Sequence, residues 1–378
     1  MRRSGYFECL AHFVELKDPR ADRGLNHVLQ DIIGIALCGM ICGADTFADM
    51  ERFAVSHEDW FAEHLELPHG IPSHDTIRRV FERLDVASLQ SCLQSWVEQM
   101  QLSLLGETVA IDGKTSCGSH DHKHQQKALH LVHAWATRLT FCLGQVRIDD
   151  KSNEIPAVQE LLGILQLKGA VVTADAMHCQ KETARRIIER EADYILQVKD
   201  NQPKLLDEIT TTFAAYEADN YESREVRCAQ VKERNRGRKE NRVCMVAPAP
   251  QSLKQSWPGL ATIGLVSRSR QLADGTQQSE VSYFISSLPP RARDHATRIR
   301  DHWKIENTLH HTLDVTFHED QSRIRSGCGP DVMSLFRKLA LTILKKDTTI
   351  KDNIRGKRLR AGWNLNDLKK ILLAFQAF

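Results

Sequence analysis

Two short apolar runs, each closed by an aspartate, constrain this chain more than any other feature. They are Thr108-Val109-Ala110-Ile111-Asp112 and Ala170-Val171-Val172-Thr173-Ala174-Asp175. Both are β-branched and brief, which predicts buried strands. Residues 129–137 and 140–148 read as two more strands, joined by a tight turn at Arg138-Leu139. Residues 155–167 and 181–191 carry helical spacing, and residues 194–198 form a further strand. The order is three strands, helix, strand, helix, strand, so the core is α/β. An acid at a strand end is held rigidly and faces the crevice at the carboxyl edge of the sheet, where ligands of open α/β folds sit.

At 378 residues the chain is long enough for two to three domains. Its 42% apolar and 26% charged residues exclude a disordered, collagenous or fibrous protein. The longest uncharged apolar stretch is residues 32–44. That is shorter than the roughly 20 residues a membrane helix needs. The N-terminus has no apolar signal region, so a soluble cytoplasmic protein is expected. The ten cysteines are scattered and none form a CxxC pair, which predicts reduced structural thiols and no zinc.

Net charge is only +2, but its distribution is uneven. Residues 224–242 hold eight Lys/Arg against three Glu, and residues 345–370 hold nine against three Asp. Residues 45–66 hold seven acids and one Arg. Local basic patches let a near-neutral protein hold a phosphate backbone.

Residues 1–103 read as an all-helical N-terminal domain. Gly43 stops one helix, and residues 50–65 read as a single amphipathic one. Ser73 caps a short helix with Ile77, Val80, Phe81 and Leu84 inward and Arg78 and Arg79 outward. A helix of that kind either enters a DNA groove or is a plain surface helix. Residues 104–345 form the α/β domain, with a β-rich insertion at about 221–290 and a hairpin signal at Asp274-Gly275. One helix is expected over 292–313, and residues 346–378 form a basic C-terminal segment with Trp363 as an aromatic anchor or a packed cap.

Glu306 lies on the helix that follows the insertion and makes a third acid with Asp112 and Asp175. Three converging carboxylates repel one another unless cations neutralise them. Oxygen ligands suit Mg²⁺ or Mn²⁺. Two such ions about 4 Å apart clamp the attacking and leaving oxygens of a phosphoryl displacement. On spacing alone, many other arrangements fit.

Longer stretches narrow the choice. Ala110-Ile111-Asp112-Gly113-Lys114-Thr115, residues 173–180 and His302-Trp303-Lys304-Ile305-Glu306-Asn307-Thr308-Leu309-His310 resemble the H-repeat-associated transposases of bacterial insertion sequences. So do residues 313–323, 13–24, 43–46 and 71–76, and the resemblance covers about residues 10–345. It implies a DDE transposase with a ribonuclease-H-like mixed sheet core. Asp112, Asp175 and Glu306 would be its catalytic and metal-binding acids, with two Mg²⁺ ions, replaceable by Mn²⁺. It also implies DNA as partner, through terminal inverted repeats and target DNA, and a homodimer holding two ends. On DNA the protein would be nucleoid-associated.

Related insertion-sequence transposases place Tyr seven residues before the glutamate, Arg four before and Lys seven after. Here Ile299, His302 and Leu313 stand there, and Arg300, His302 and Lys304 are the candidates to grip phosphate instead. Lys114 is a further phosphate candidate, as are Arg234, Arg236, Arg238 and Lys239 in an expected hairpin loop, and Arg78 and Arg79. Asp314 is expected to support the site. Glu319 and Asp320 either support it or pair with Arg323 and Arg325. His120, His122, His124, His130 and His133 cluster after Asp112, and because His120, His122 and His124 lie in a polar loop, a solvated loop near DNA is expected rather than a metal site. Of His310 and His311, at most one can approach the acids. Two other readings stand beside this one: a non-catalytic DNA-binding relic of a mobile element, and a nuclease that cuts without joining.

Overall fold

The computed structural model describes residues 5–21, 25–99, 103–120, 127–148, 153–222, 225–235, 238–271 and 276–376. Five helices open the chain: α1 (Leu29–Ile41), α2 (Phe47–Ser56), α3 (Glu58–His64), α4 (His74–Phe81) and α5 (Val86–Gln99). Gly43, at φ +96°, ends α1 in a backbone conformation that L side chains avoid. The single helix expected over 50–65 is two. His57 leaves helical geometry at φ −129° and its Nδ1 lies 2.8 Å from the Phe53 carbonyl oxygen, so the ring competes for a helix acceptor.

α4 begins where its sequence predicts. Ser73 Oγ accepts from Thr76 N at 3.4 Å, and Ile77, Val80 and Phe81 are buried. Phe81 meets Phe47 and Phe336 at ring separations of 5.4 and 4.9 Å. A side chain like Phe81 contributes about 1.5–3 kcal/mol by leaving water.

Strands β1 (Thr108–Ser116), β2 (Leu129–Ala136), β3 (Phe141–Arg147), β4 (Val171–Ala174) and β5 (Asp193–Val198) lie in the order β3-β2-β1-β4-β5. β1 is antiparallel to β2 and parallel to β4, and β4 is parallel to β5. This is the ribonuclease-H-like mixed sheet that the resemblance implies. The insertion supplies β6 (Arg227–Asn235), β7 (Arg238–Pro248), β8 (Thr262–Gln271) and β9 (Gln277–Ser286). These strands continue the same sheet, because β9 pairs antiparallel with β5, from Ile195↔Ser286 to Val198↔Tyr283. Pairing there covers what would otherwise be an open edge. The Asp274-Gly275 turn lies outside the described residues.

Helices α6 (Glu154–Ile164), α7 (Lys181–Glu189), α8 (Pro203–Ala218) and α9 (Gln251–Ser256) share one apolar core with one sheet face. On the other face lies α10 (Ala292–Ile305), whose Ala292 joins Val171, Ile195, Val246 and Phe284. The helix expected over 292–313 is not continuous. After α10 the chain makes one π-helical turn, Glu306–His310, and then α11 (His311–Thr316). Such turns insert a residue into a helix and recur at functional sites.

The chain ends in α12 (Gly329–Lys346), α13 (Ile354–Trp363) and α14 (Leu365–Gln376), which share a core with the N-terminal helices. The C-terminal segment is therefore packed. Lys357 and Arg358 are buried, Lys357 pairs with Asp347 at 3.1 Å and Arg358 with Asp45 at 2.7 Å. Trp363 is 78% exposed and takes no part in that packing. Among the described residues, no helix is long and apolar enough to cross a membrane.

Candidate active site

The register of β1 on β4 brings the two aspartates together. Ile111 pairs with Ala174, and the next residue on each strand is Asp112 or Asp175. Asp112 Oδ1 accepts from Gly113 N at 2.9 Å. A Cβ at Gly113 would lie 2.6 Å from Glu154 Oε1 and 2.9 Å from His130 Nε2, so a side chain there would displace that ion pair. Glu306 comes from the π-helical turn, with His302 four residues before it and His310 four after.

Those two histidines divide the acids between them. His302 Nε2 lies 3.3 Å from Asp175 Oδ1, while its Nδ1 is 3.0 Å from Thr173 Oγ1. His310 Nδ1 lies 3.4 Å from Glu306 Oε2 and 3.7 Å from Asp112 Oδ2. His310 Nε2 meets the buried His133 Nε2 at 2.8 Å. Asp112 is the most enclosed of the three acids, and Asp175 and Glu306 are half-exposed.

Charge follows from this placement. Burial pushes the Asp112 carboxyl up to about 7, and the nearby Asp175 and Glu306 carboxylates add to the rise. Asp175 is held below the usual carboxylate range by its hydrogen bond with His302. Burial brings His310 down to about 3, so this imidazole is neutral at physiological pH. His133 is lowered too, again by burial.

Several residues expected to face DNA are held inside the protein. Lys114 is nearly buried and pairs with Asp314 at 2.6 Å and Asp320 at 3.7 Å. It braces β1 and is not open to a phosphate. Asp314 and Asp320 share this lysine, and Asp320 Oδ1 also accepts from Cys117 N at 3.2 Å. Glu319 pairs with Arg337 at 3.7 Å and accepts from Ser334 Oγ, not from Arg323 or Arg325. Arg325 donates to the Gly118 carbonyl, and Arg323 is exposed. His302 is buried against Asp175.

Arg300 grips Glu233 of β6 through both terminal nitrogens, and Lys304 pairs with Asp301 at 2.6 Å. Arg78 is held by Asp75 and Glu82. Arg79, Arg234 and Lys239 are exposed, and Arg234 and Lys239 face each other across β6 and β7. Arg238 starts β7, so the basic strip belongs largely to strands. Arg236, His122 and His124 lie outside the described residues. His130 lies on β2, within the expected strand, and pairs with Glu154 at 2.9 Å.

His310 stands beside the acids and His133 beside His310, and the sequence names both without giving either a role. The signal for His310 is its four-residue spacing from Glu306, which matches that of His302 on the other side. Glu154 had no signal.

The site therefore joins two aspartates on neighbouring parallel strands with a glutamate on the helix after the insertion. Residues 104–343 match the family model described as Transposase DDE domain, and residues 10–97 match DDE_Tnp_1-associated. The chain belongs to the DDE transposase family. Within it, the chain is 34% identical to the "H repeat-associated putative transposase YhhI" of Escherichia coli K12, over 96% of this chain and 97% of that protein. It is 35% identical to the "Putative transposase YncI" of Escherichia coli O157:H7, over 94% and 92%. Among solved structures it is similar to a piggyBac transposase synaptic complex with hairpin DNA, at TM-score 0.41 and 11% identity, over 97% of this chain and 74% of that one.

Proposed function

We propose that this transposase cuts DNA at the ends of an insertion sequence and joins the freed 3′ ends to target DNA, using divalent metal held by Asp112, Asp175 and Glu306. The observation that carries the reading is the meeting of these three carboxylates at one sheet edge. The donor set fits a hard divalent cation: Asp112, Glu306 and His310 offer ligand atoms within 4.8 Å of one another. The raised Asp112 carboxyl marks a crowding of negative charge that a cation relieves. A bound Mg²⁺ or Mn²⁺ supplies polarisation of the phosphate and a more acidic water or hydroxyl.

The chain's own residues do the rest. With its proton on Nε2, His302 donates to Asp175 and accepts the Thr173 hydroxyl at Nδ1, which fixes the carboxylate. Lys114 ties β1 to α11 through Asp314, so Asp112 and Glu306 keep their separation. Exposed Arg79, Arg234 and Lys239 are available to track phosphate. On this reading residues 104–345 carry the catalysis, with the insertion at about 221–290, and residues 1–103 contribute to DNA contact. Two ends must be cut and joined together, so a homodimer on DNA is the working unit, in the cytoplasm at the nucleoid.

The test is incubation of the protein with labelled DNA carrying the flanking inverted repeats, with Mg²⁺ or Mn²⁺, beside Asp175→Asn. Metal-dependent nicking at the element boundary, absent in the variant, is the expected result. Tight salt-sensitive binding without cleavage would instead favour a DNA-binding relic. Cleavage without joining of pre-cut ends would reduce the protein to a nuclease.

A further inference from the structure

We propose that His310 is a nitrogen ligand to the cation held between Asp112 and Glu306, and that His133 is the positioning residue that fixes its ring. This rests on the metal-dependent reading of the site and adds a donor to it.

Three side chains aim at one point. His310 Nδ1 stands 3.4 Å from Glu306 Oε2 and 3.7 Å from Asp112 Oδ2. Both separations are long for a hydrogen bond. They are close to what neighbouring ligands of one ion show, since bonds of about 2.1 Å at right angles place two donors about 3 Å apart. The His310 side chain is 8% exposed, so its ring has little freedom to turn away. Asp175 is engaged by His302 and is not part of the group of ligand atoms that Asp112, Glu306 and His310 bring within 4.8 Å of one another. An ion between Asp112 and Glu306 therefore has the His310 nitrogen within reach.

His133 completes the arrangement. A metal-bound imidazole donates its second N–H to a fixed acceptor, which sets tautomer and orientation. With Nδ1 used as a lone-pair donor, the His310 hydrogen sits on Nε2 and is donated to His133 Nε2 at 2.8 Å. The rings meet edge to face, at 90°. His133 then carries its own hydrogen on Nδ1, which is buried without a partner among the described residues. That cost is offset by the bound cation. A nitrogen donor also moves the site's preference from Mg²⁺ towards Mn²⁺, because imidazole suits transition metals and carboxylates suit Mg²⁺.

The experiment is Mn²⁺ titration of the full-length protein without DNA, followed by electron paramagnetic resonance, with pulsed detection of directly bound ¹⁴N. The expected result is bound Mn²⁺ with a ¹⁴N coupling in the wild type. His310→Gln loses the coupling, and His302→Gln keeps it. His133→Leu keeps it but binds Mn²⁺ about 10–100-fold more weakly, as expected for loss of an orienting partner. Bound Mn²⁺ without any nitrogen coupling in the wild type overturns the proposal and leaves the carboxylate metal site standing. So does a coupling that disappears in His302→Gln and survives in His310→Gln. If the wild type binds no more Mn²⁺ than Asp112→Asn does, both this proposal and the metal-dependent reading fall.

Discussion

The Glu154 carboxylate joins His178, three residues past Asp175, at 3.2 Å, and with its other oxygen it joins His130 of β2 at 2.9 Å. One acid at the start of α6 thus ties the turn that carries Asp175 to the strand beside Asp112. The pairing with His178 holds the Glu154 carboxyl below its usual range. A depressed carboxyl stabilises the fold above its unfolded value and loses that contribution as pH falls through the folded one. Glu154→Ala is therefore expected to destabilise the protein by about 1–3 kcal/mol at pH 7, since His178 is buried and loses its acceptor. The deficit should shrink below pH 4. Urea unfolding at pH 7 and at pH 3.5 measures it. An equal deficit at both values would mean that packing, not the ion pair, is what the variant removes.

Asp112 predicts the opposite sign. Its folded-state carboxyl is raised from 3.8 to about 7, so the folded protein keeps a proton that the unfolded chain has released. Stability from this group is full below about pH 4 and is lost as pH rises through 7. Metal-free Asp112→Asn, which resembles the protonated acid, should match wild type near pH 4 and exceed it at pH 8. The gap is a few kcal/mol, because each pH unit between the folded and unfolded values is worth about 1.4 kcal/mol. Added Mn²⁺ should narrow it by stabilising only the wild type. Denaturation midpoints across pH 4 to 8 decide the matter, and a gap that does not change with pH would sink the idea.

Lys114 and the pair Arg234 and Lys239 separate internal from DNA-facing charge. Arg234→Gln with Lys239→Gln should lower DNA affinity and reduce the dependence of log affinity on log salt by about 1 for each phosphate no longer neutralised. Stability should be unchanged, because both side chains are exposed. Lys114→Met should do the reverse. It leaves Asp314 and Asp320 without their shared cation, so stability and cleavage fall while the salt dependence of binding stays as in wild type. Fluorescence anisotropy at several salt concentrations distinguishes the two.

The parts of this molecule that periodicity encodes were legible in advance. The strand that stops before Asp175 and the Ser73 cap depend on neighbours in sequence, and they stand where the pattern placed them, whereas the strand expected to end at Asp112 runs on to Ser116 because its pairing with β2 continues past the acid. What was hidden depends on distant partners. Lys114 looked like a free cation because Asp314 lies two hundred residues away. Lys357 and Arg358 lie in a basic run whose sequence fits either an exposed segment or a packed cap, and both are buried on Asp347 and Asp45. The π-helical turn at Glu306 was hidden for another reason. Apolar Ile305, Leu309 and Leu313 keep a four-residue spacing across it, which an unbroken helix also gives. Strand propensity revealed the insertion but not which edge it joins, since that depends on the pairing of β9 with β5.

Arg358 carries the last prediction. It reaches from α13 to the Met40 carbonyl at the end of α1, to Asp45, and to the Thr316 carbonyl at the end of α11, while its guanidinium lies 4.1 Å from the Phe317 ring centre. The C-terminal helices are thus fastened both to the N-terminal core and to the element that follows Glu306. A lysine cannot reproduce this, because a planar fork serves three acceptors and stacks on the ring at once, and an ammonium does neither. Arg358→Lys should cost about 1–3 kcal/mol through the acceptors it leaves unmet. Asp45→Asn should cost about 3–5 kcal/mol, because the arginine stays buried and loses its countercharge. If Arg358 also steadies α11, Arg358→Lys should weaken Mn²⁺ binding at the acids while DNA affinity stays the same. A variant with lowered unfolding midpoint and unaltered Mn²⁺ affinity would confine the residue to the helical core.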